Sequence, residues 1–193
     1  MQNYDLKQGG NIKIYRKLLT KSEATELFDE LMKDDIPWQQ SSRKMFGKVV
    51  LTPRLQCWMG DADVKPDVYS NNRIPWSKSE SMTKLKYRLE VIFNKPLDYV
   101  LLNLYENGAH SIAWHSDNEA QGDNDIIISI SLGSDRKFHV KAIDKKIAEK
   151  YTWVLSHGDV VVMDGIMQRH YLHTVPKTKM KVNARINLTF RHT

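Results

Sequence analysis

The sequence has one cysteine, Cys57, so no disulfide can form within the chain, and a reducing, intracellular setting is expected (cytoplasm, or nucleus in a eukaryote). It has no apolar run long enough to span a bilayer, so no membrane association is expected. The opening stretch 1–13 is polar and charged and lacks the apolar centre of a signal peptide. Internal repeats, low-complexity tracts and linkers are missing too, which leaves the expectation of one domain over residues 1–193. A hydrophobic fraction of 41% is enough for a sizeable core and excludes a disordered chain. Lysine and arginine outnumber acids 29 to 23, for a net charge of +6, a balance that favours polyanionic partners. Two basic clusters carry much of it: Arg43, Lys44, Lys48 and Arg54, then Lys177, Lys179 and Lys181. Either cluster would also suit an ordinary solvated loop.

Two stretches read as helices. The first begins with Thr20 and Glu23 at capping-box spacing and sets Leu27, Phe28, Leu31 and Met32 on one face. The second follows Pro75, aligns Met82, Leu85, Leu89, Ile92 and Phe93, and stops before Pro96. Beyond Pro96 the pattern becomes short apolar or alternating runs over 99–105, 111–115, 126–132, 137–141, 151–155, 160–164, 171–175 and 185–191. Turn-formers separate most of them, as expected of a β-sandwich or barrel. The stretch 141–150 reads as a charged loop or short helix. Helices first and strands afterwards predict an α+β fold with the helices backing one sheet.

His115-Ser116-Asp117 is the first chemical signal. Residues i and i+2 of a strand share a face, so His115 and Asp117 can reach one ion. His173 lies in a later strand, and His170, three residues earlier, competes with it as third ligand. Two imidazoles and one carboxylate on one face of a metal are the arrangement of non-haem iron(II) oxygenases, because the other positions stay open. Alone, a His-x-Asp is more often a surface turn. His110, His139, His157 and His192 have no comparable partner and read as loop or surface residues.

The last strand is more specific. In 185–191, Ile186, Leu188 and Phe190 face one side, while Arg185, Asn187, Thr189 and Arg191 face the other. Two arginines turned inward need anions, and a guanidinium fork matches a carboxylate. A dicarboxylate chelating a metal at one end and meeting arginine at the other satisfies both. Asn103 and Tyr105 share a face in the same manner. An edge strand with both arginines in solvent is the competing reading.

Taken in order, Asn103-x-Tyr105, His115-x-Asp117, His173 and Arg185-x-Asn187-x-Thr189-Phe190-Arg191 resemble the signature of the AlkB family of Fe(II)/2-oxoglutarate-dependent dioxygenases. The likeness runs from about Phe46 to the C-terminus. It implies a double-stranded β-helix (jelly-roll) core over roughly 97–193, N-terminal helices packed on one sheet, and a nucleotide-recognition lid over roughly 40–75. It implies Fe(II) on His115, Asp117 and His173 as the catalytic centre, with O2 as oxidant. Asn103, Tyr105, Arg185, Asn187 and Arg191 would hold 2-oxoglutarate, with Arg185 on the distal carboxylate. Glu119 would face the amino group of a methylated, cationic base. Tyr69 would stack on that base opposite His115, at ~1–3 kcal/mol for such a contact. Phe46 would be a duplex wedge or simply pack on the sheet, and Lys48, Arg54, Lys177 and Lys179 would touch the nucleic acid. Asp67 stands where duplex-repair relatives often have tyrosine, a departure at the base site. The implied activity is oxidative demethylation of bases such as 1-methyladenine and 3-methylcytosine, in alkylated DNA or RNA, by a monomer. Two readings compete: a hydroxylase of another substrate on the same fold, and a nucleic-acid-binding module without activity.

Overall fold

The structure, a computed structural model, describes residues 1–16, 18–45, 47–64, 72–117, 122 and 125–192, and for 43–45 the backbone alone. Its elements run β1 (Gln2–Asp5), β2 (Asn11–Tyr15), α1 (Lys21–Leu31), β3 (Gln39–Met45), β4 (Lys48–Gly60), β5 (Arg73–Ile74), α2 (Glu80–Phe93), β6 (Tyr99–Tyr105) and β7 (Ile112–His115). They continue with β8 (Ile126–Gly133), β9 (Arg136–Ala142), β10 (Lys150–Leu155), β11 (Val160–Asp164), α3 (Gly165–His170), β12 (Tyr171–Val175) and β13 (Arg185–Arg191).

Among the described residues the strands form two sheets. The larger has the order β1-β2-β11-β8-β13-β6-β4-β3, with β5 beside β4, and the smaller has the order β10-β9-β12-β7. The strands downstream of Pro96 fall where alternation predicts them, because most of their apolar positions feed two cores. One side of the large sheet, including Leu102, Ile130, Leu188 and Phe190, packs against the helices through Leu27, Leu31, Met82 and Leu85. Its opposite side meets the small sheet through Ile12, Ile14, Val161, Phe138 and Val140. This is the jelly-roll arrangement with helices on one sheet.

Two local expectations need correction, and a third resolves between its alternatives. Helices do not precede all strands: β1, β2, β3 and β4 come earlier and belong to the large sheet. β2 escaped notice because its signal, Ile12 and Ile14 around Lys13, is only five residues long. The stretch expected to be a lid over 40–75 is partly framework, since Leu55–Gly60 of β4 pairs antiparallel with β6. Finally, 141–150 is strand end and turn, without a helix, and buries the carboxylate of Glu149 as acceptor for the hydroxyls of Tyr151 and Tyr171, both at 2.6 Å.

Helix α1 starts where the capping box demands, with Glu23 N–H donating to Thr20 Oγ1 at 3.2 Å and Thr20 N–H to Glu23 Oε2 at 2.7 Å. Its stripe ends earlier than expected: Met32 is the cap and is exposed, as is Ile92 near the end of α2. The turn after β8 requires glycine. Gly133 has φ +89°, and a Cβ there would lie 2.4 Å from Ala184 O and 2.8 Å from the Phe28 ring. Gly133→Ala is therefore expected to destabilise the fold by at least ~1–3 kcal/mol in denaturant titrations. An unchanged midpoint would show that the turn relaxes freely.

Candidate active site

A cavity of about 960 Å³ opens between the two sheets. Strand β13 runs through its floor as an interior strand, paired with β8 on one side and β6 on the other. An edge position for its arginines is thereby excluded. The cavity is lined from β13 by Arg185, Asn187, Thr189 and Arg191, and from β6 by Asn103 and Tyr105.

At one end, His115 on β7 sits directly opposite His173 on β12 in the strand register. Their rings are 4.2 Å apart between centroids. Asp117, just past β7, brings Oδ2 to 3.5 Å from His173 Nε2 and Oδ1 to 4.0 Å from His115 Nε2. The three donor atoms lie within 4.8 Å of one another, close enough to bind one ion. His170, the alternative ligand, ends α3 and is not in this group.

The donor chemistry fits a divalent metal. His115 Nδ1 lies 2.8 Å from the Ala113 carbonyl, so it carries the proton and leaves Nε2 as the free lone pair. His173 lacks such a tether: its buried Nδ1 has no hydrogen-bond partner among the described residues, and the ring is held by packing on His115 and Phe138. Burial, reinforced by His173, pushes the His115 imidazole down to about 4, so it is neutral and able to ligate at neutral pH. Burial opposes ionisation of Asp117, but Arg191 and then His173 overcome it and hold the carboxyl well below the usual range. Arg191 Nη2 donates to Asp117 Oδ1 at 2.6 Å, with both side chains buried.

The pH consequence has a definite sign. Between about 4 and His115's unfolded value of about 6.5, the unfolded chain binds more protons than the folded one. The stability due to the neutral ring is present above about 6.5 and lost as pH falls toward 4. Metal-free protein is expected to melt at falling temperatures through that window, and His115→Gln to flatten the slope. Identical profiles would remove His115 as its source.

At the other end of the cavity Arg185 is 1% exposed and lies over the Tyr105 ring at 5.3 Å. Its Nη2 donates to Ser131 Oγ at 2.9 Å, while Nε and Nη1 have no partner among the described residues. Burial pushes this guanidinium down to about 10, so it is still a cation. A buried cation with two unanswered N–H groups suits a carboxylate. Asn187 Nδ2 is committed to Ser129 Oγ at 2.8 Å and Ile130 O at 3.0 Å. Asn103 Oδ1 accepts from Arg54 Nε at 2.7 Å and Gln56 Nε2 at 3.0 Å, which leaves its amide N–H groups as the available donors.

Arg54, expected with the exposed basic cluster, is turned inward and lines the cavity, whereas Lys48, Lys177 and Lys179 are exposed. Phe46, Tyr69, Glu119 and Asp67 lie outside the described residues. Several participants escaped the sequence reading. Ser129 and Ser131 stand at alternate positions of 126–132, a legible sign of a polar face on an apolar strand. Gln168 had no sequence signal: its Oε1 accepts from Asp117 N–H at 3.0 Å, from a helix that periodicity does not reveal.

The fold and site define a 2-oxoglutarate–iron oxygenase. In agreement, the family model described as 2OG-Fe(II) oxygenase superfamily matches residues 11–191. The chain is 29% identical to the DNA oxidative demethylase ALKBH2 of Arabidopsis thaliana, over 97% of this chain and 68% of that protein. It is 32% identical to the alpha-ketoglutarate-dependent dioxygenase alkB homolog 3 of Bos taurus, over 88% of this chain and 61% of that one. The chain thus spans about two thirds or less of the length of these relatives. A solved structure of OsALKBH1 superposes with TM-score 0.58 at 16% identity, covering 94% of this chain and 97% of that one. A prolyl hydroxylase from Trichoplax adhaerens, in complex with a hypoxia inducible factor peptide, superposes with TM-score 0.62 at 10% identity, covering 93% and 83%. This chain belongs to the AlkB family of 2OG-Fe(II) oxygenases, whose chemistry uses Fe(II), 2-oxoglutarate and O2.

Proposed function

We propose that the chain is an oxidative demethylase of N-alkylated nucleic-acid bases, of the 1-methyladenine and 3-methylcytosine type, in DNA or RNA. The observation that carries the reading is one cavity holding the His115, Asp117 and His173 group at one end and Arg185 at the other, with space left over beneath β4. Relatives named DNA oxidative demethylase supply the substrate class. The iron centre, when loaded, would couple oxidation of 2-oxoglutarate to succinate and CO2 with hydroxylation of the N-methyl carbon, which then leaves as formaldehyde.

The protein supplies placement. His115, Asp117 and His173 would hold the ion, and three protein ligands would leave positions for co-substrate and oxygen. Arg185 takes the distal carboxylate, and Tyr105 and Asn103 offer hydrogen bonds along its length. Arg191 keeps Asp117 ionised in a buried site. Val50, Leu51 and Arg54 wall the remaining space, where the extruded base would enter. Residues 40–75 would act partly as the lid, with Tyr69 stacking on the base, Phe46 as wedge and Glu119 answering its charge. Lys48, Lys177 and Lys179 would meet phosphates, and the working unit would be a monomer within the cell. Among the described residues, no helix is long and apolar enough to cross a membrane.

The test is anaerobic loading with Fe(II) and 2-oxoglutarate, then air, on oligonucleotides carrying one methylated base. Loss of the methyl group by mass spectrometry is the expected result. Succinate without demethylation would move the substrate elsewhere, and neither product from iron-loaded protein would overturn the enzyme reading.

A further inference from the structure

The outer surface of the small sheet carries charge that packing does not require. Along β9 and β10 its outward positions are Lys137, His139, Lys141, Lys150, Thr152 and Val154, with no acid among them. Lys141 stands directly opposite Lys150 in the register, a like-charge cross-strand pair that destabilises a sheet. Among the described residues none of these three lysines forms an ion pair. Lys141 is instead held over the indole of Trp114, its Nζ 4.3 Å from the ring centroid. His139 lies 6.3 Å from that ring, and burial with Lys150 and Lys137 lowers its tendency to protonate. Lys137 and Lys141 are four residues apart on one strand, roughly 13 Å at about 3.3 Å per residue.

The patch also has a direction. Trp114 precedes the metal ligand His115 on edge strand β7, and Trp114 and Leu172 line the cavity as well as bordering the lysines. The basic strip therefore continues into the cavity mouth over an aromatic rim. An acidic protein could answer the charge, but only a strand whose bases reach the cavity uses both the strip and its continuity.

We propose that the outer surface of the small sheet, Lys137, Lys141 and Lys150 with Trp114 at the rim, is a track for the nucleic-acid strand flanking the base in the active site. This rests on the nucleic-acid reading above. Phosphates would relieve the repulsion between Lys141 and Lys150, and Trp114 would offer a surface for the neighbouring nucleotide.

The test compares the full-length protein with a Lys137→Ala/Lys141→Ala/Lys150→Ala variant on a labelled, unmodified single strand of about 15 nucleotides, by anisotropy across a salt series. The variant is expected to bind at least roughly tenfold more weakly at low salt. Its plot of log affinity against log salt should be shallower by about 2, at ~0.7 per phosphate contact. Unchanged melting and unchanged turnover of a methylated trinucleotide would show that fold and active site are intact. Trp114→Leu should weaken the long strand without altering the salt slope. Equal affinity and slope in the triple variant, or no binding by the unaltered protein, would overturn the track. So would equal binding of polyglutamate, lost equally in the variant. Because an unmodified strand is used, failure of demethylation leaves this result readable, and demethylation with an unaffected triple variant would sink the track alone.

Discussion

Asp117→Ala is expected to abolish 2-oxoglutarate turnover and also to weaken the metal-free fold. The first effect follows from the ligand set: without the carboxylate, two imidazoles remain, and the negative charge that anchors a divalent ion is gone. The second follows from Arg191, whose Nη2 bonds Asp117 Oδ1 at 2.6 Å with both side chains buried. Removing one partner of a buried ion pair costs ~3–5 kcal/mol. Chemical denaturation of iron-free protein reads this cost, and succinate release reads turnover. Asp117→Leu combined with Arg191→Met should recover most of the stability and none of the activity. Wild-type turnover in Asp117→Ala would sink the triad. Full stability in that variant would show that the pair adds nothing to the metal-free fold.

Arg185→Met should do the reverse, losing the co-substrate while sparing the fold. Arg185 is buried beneath Tyr105, with Nε and Nη1 unanswered. Ser131 and the Tyr105 ring compensate that desolvation only in part until a carboxylate arrives, so an apolar side chain of similar length should leave the apo protein about equally stable. Binding is another matter, since a buried charge-assisted contact is worth ~2–5 kcal/mol. Affinity for 2-oxoglutarate by calorimetry should fall at least about thirtyfold. The thermal shift that 2-oxoglutarate gives the wild-type protein should vanish with it. Unchanged affinity would remove Arg185 from the co-substrate site. A loss of several kcal/mol in apo stability would make it a structural residue.

These two variants separate groups that are alike in the sequence. Arg185 and Arg191 share one face of one strand, and alternation alone treats them equally. In the folded chain Arg191 meets a carboxylate of the protein itself, while Arg185 meets none among the described residues. The difference comes from β7, just past which Asp117 reaches Arg191 at one end of β13 only.

What the sequence determined by itself is whatever depends on period and order. Alternation in 185–191 divided the apolar from the polar positions, because successive strand side chains must point to opposite faces. The capping box at Thr20 marked the start of α1, since the first N–H groups of a helix need local acceptors. His115-x-Asp117 with a later histidine at 170 or 173 pointed to a metal group, the family resemblance implied His173, and the fold brings His173 to the other two. Only the tertiary structure decided what lies beside what. It seated β13 inside the large sheet, turned Arg54 from the surface to Asn103, and brought Gln168 to the backbone of Asp117. It also made framework strands of β2 and β4, whose short or interrupted patterns say little alone. The physical reason is that periodicity reports which face of an element is buried, whereas its neighbours are chosen by long-range packing that no local window contains.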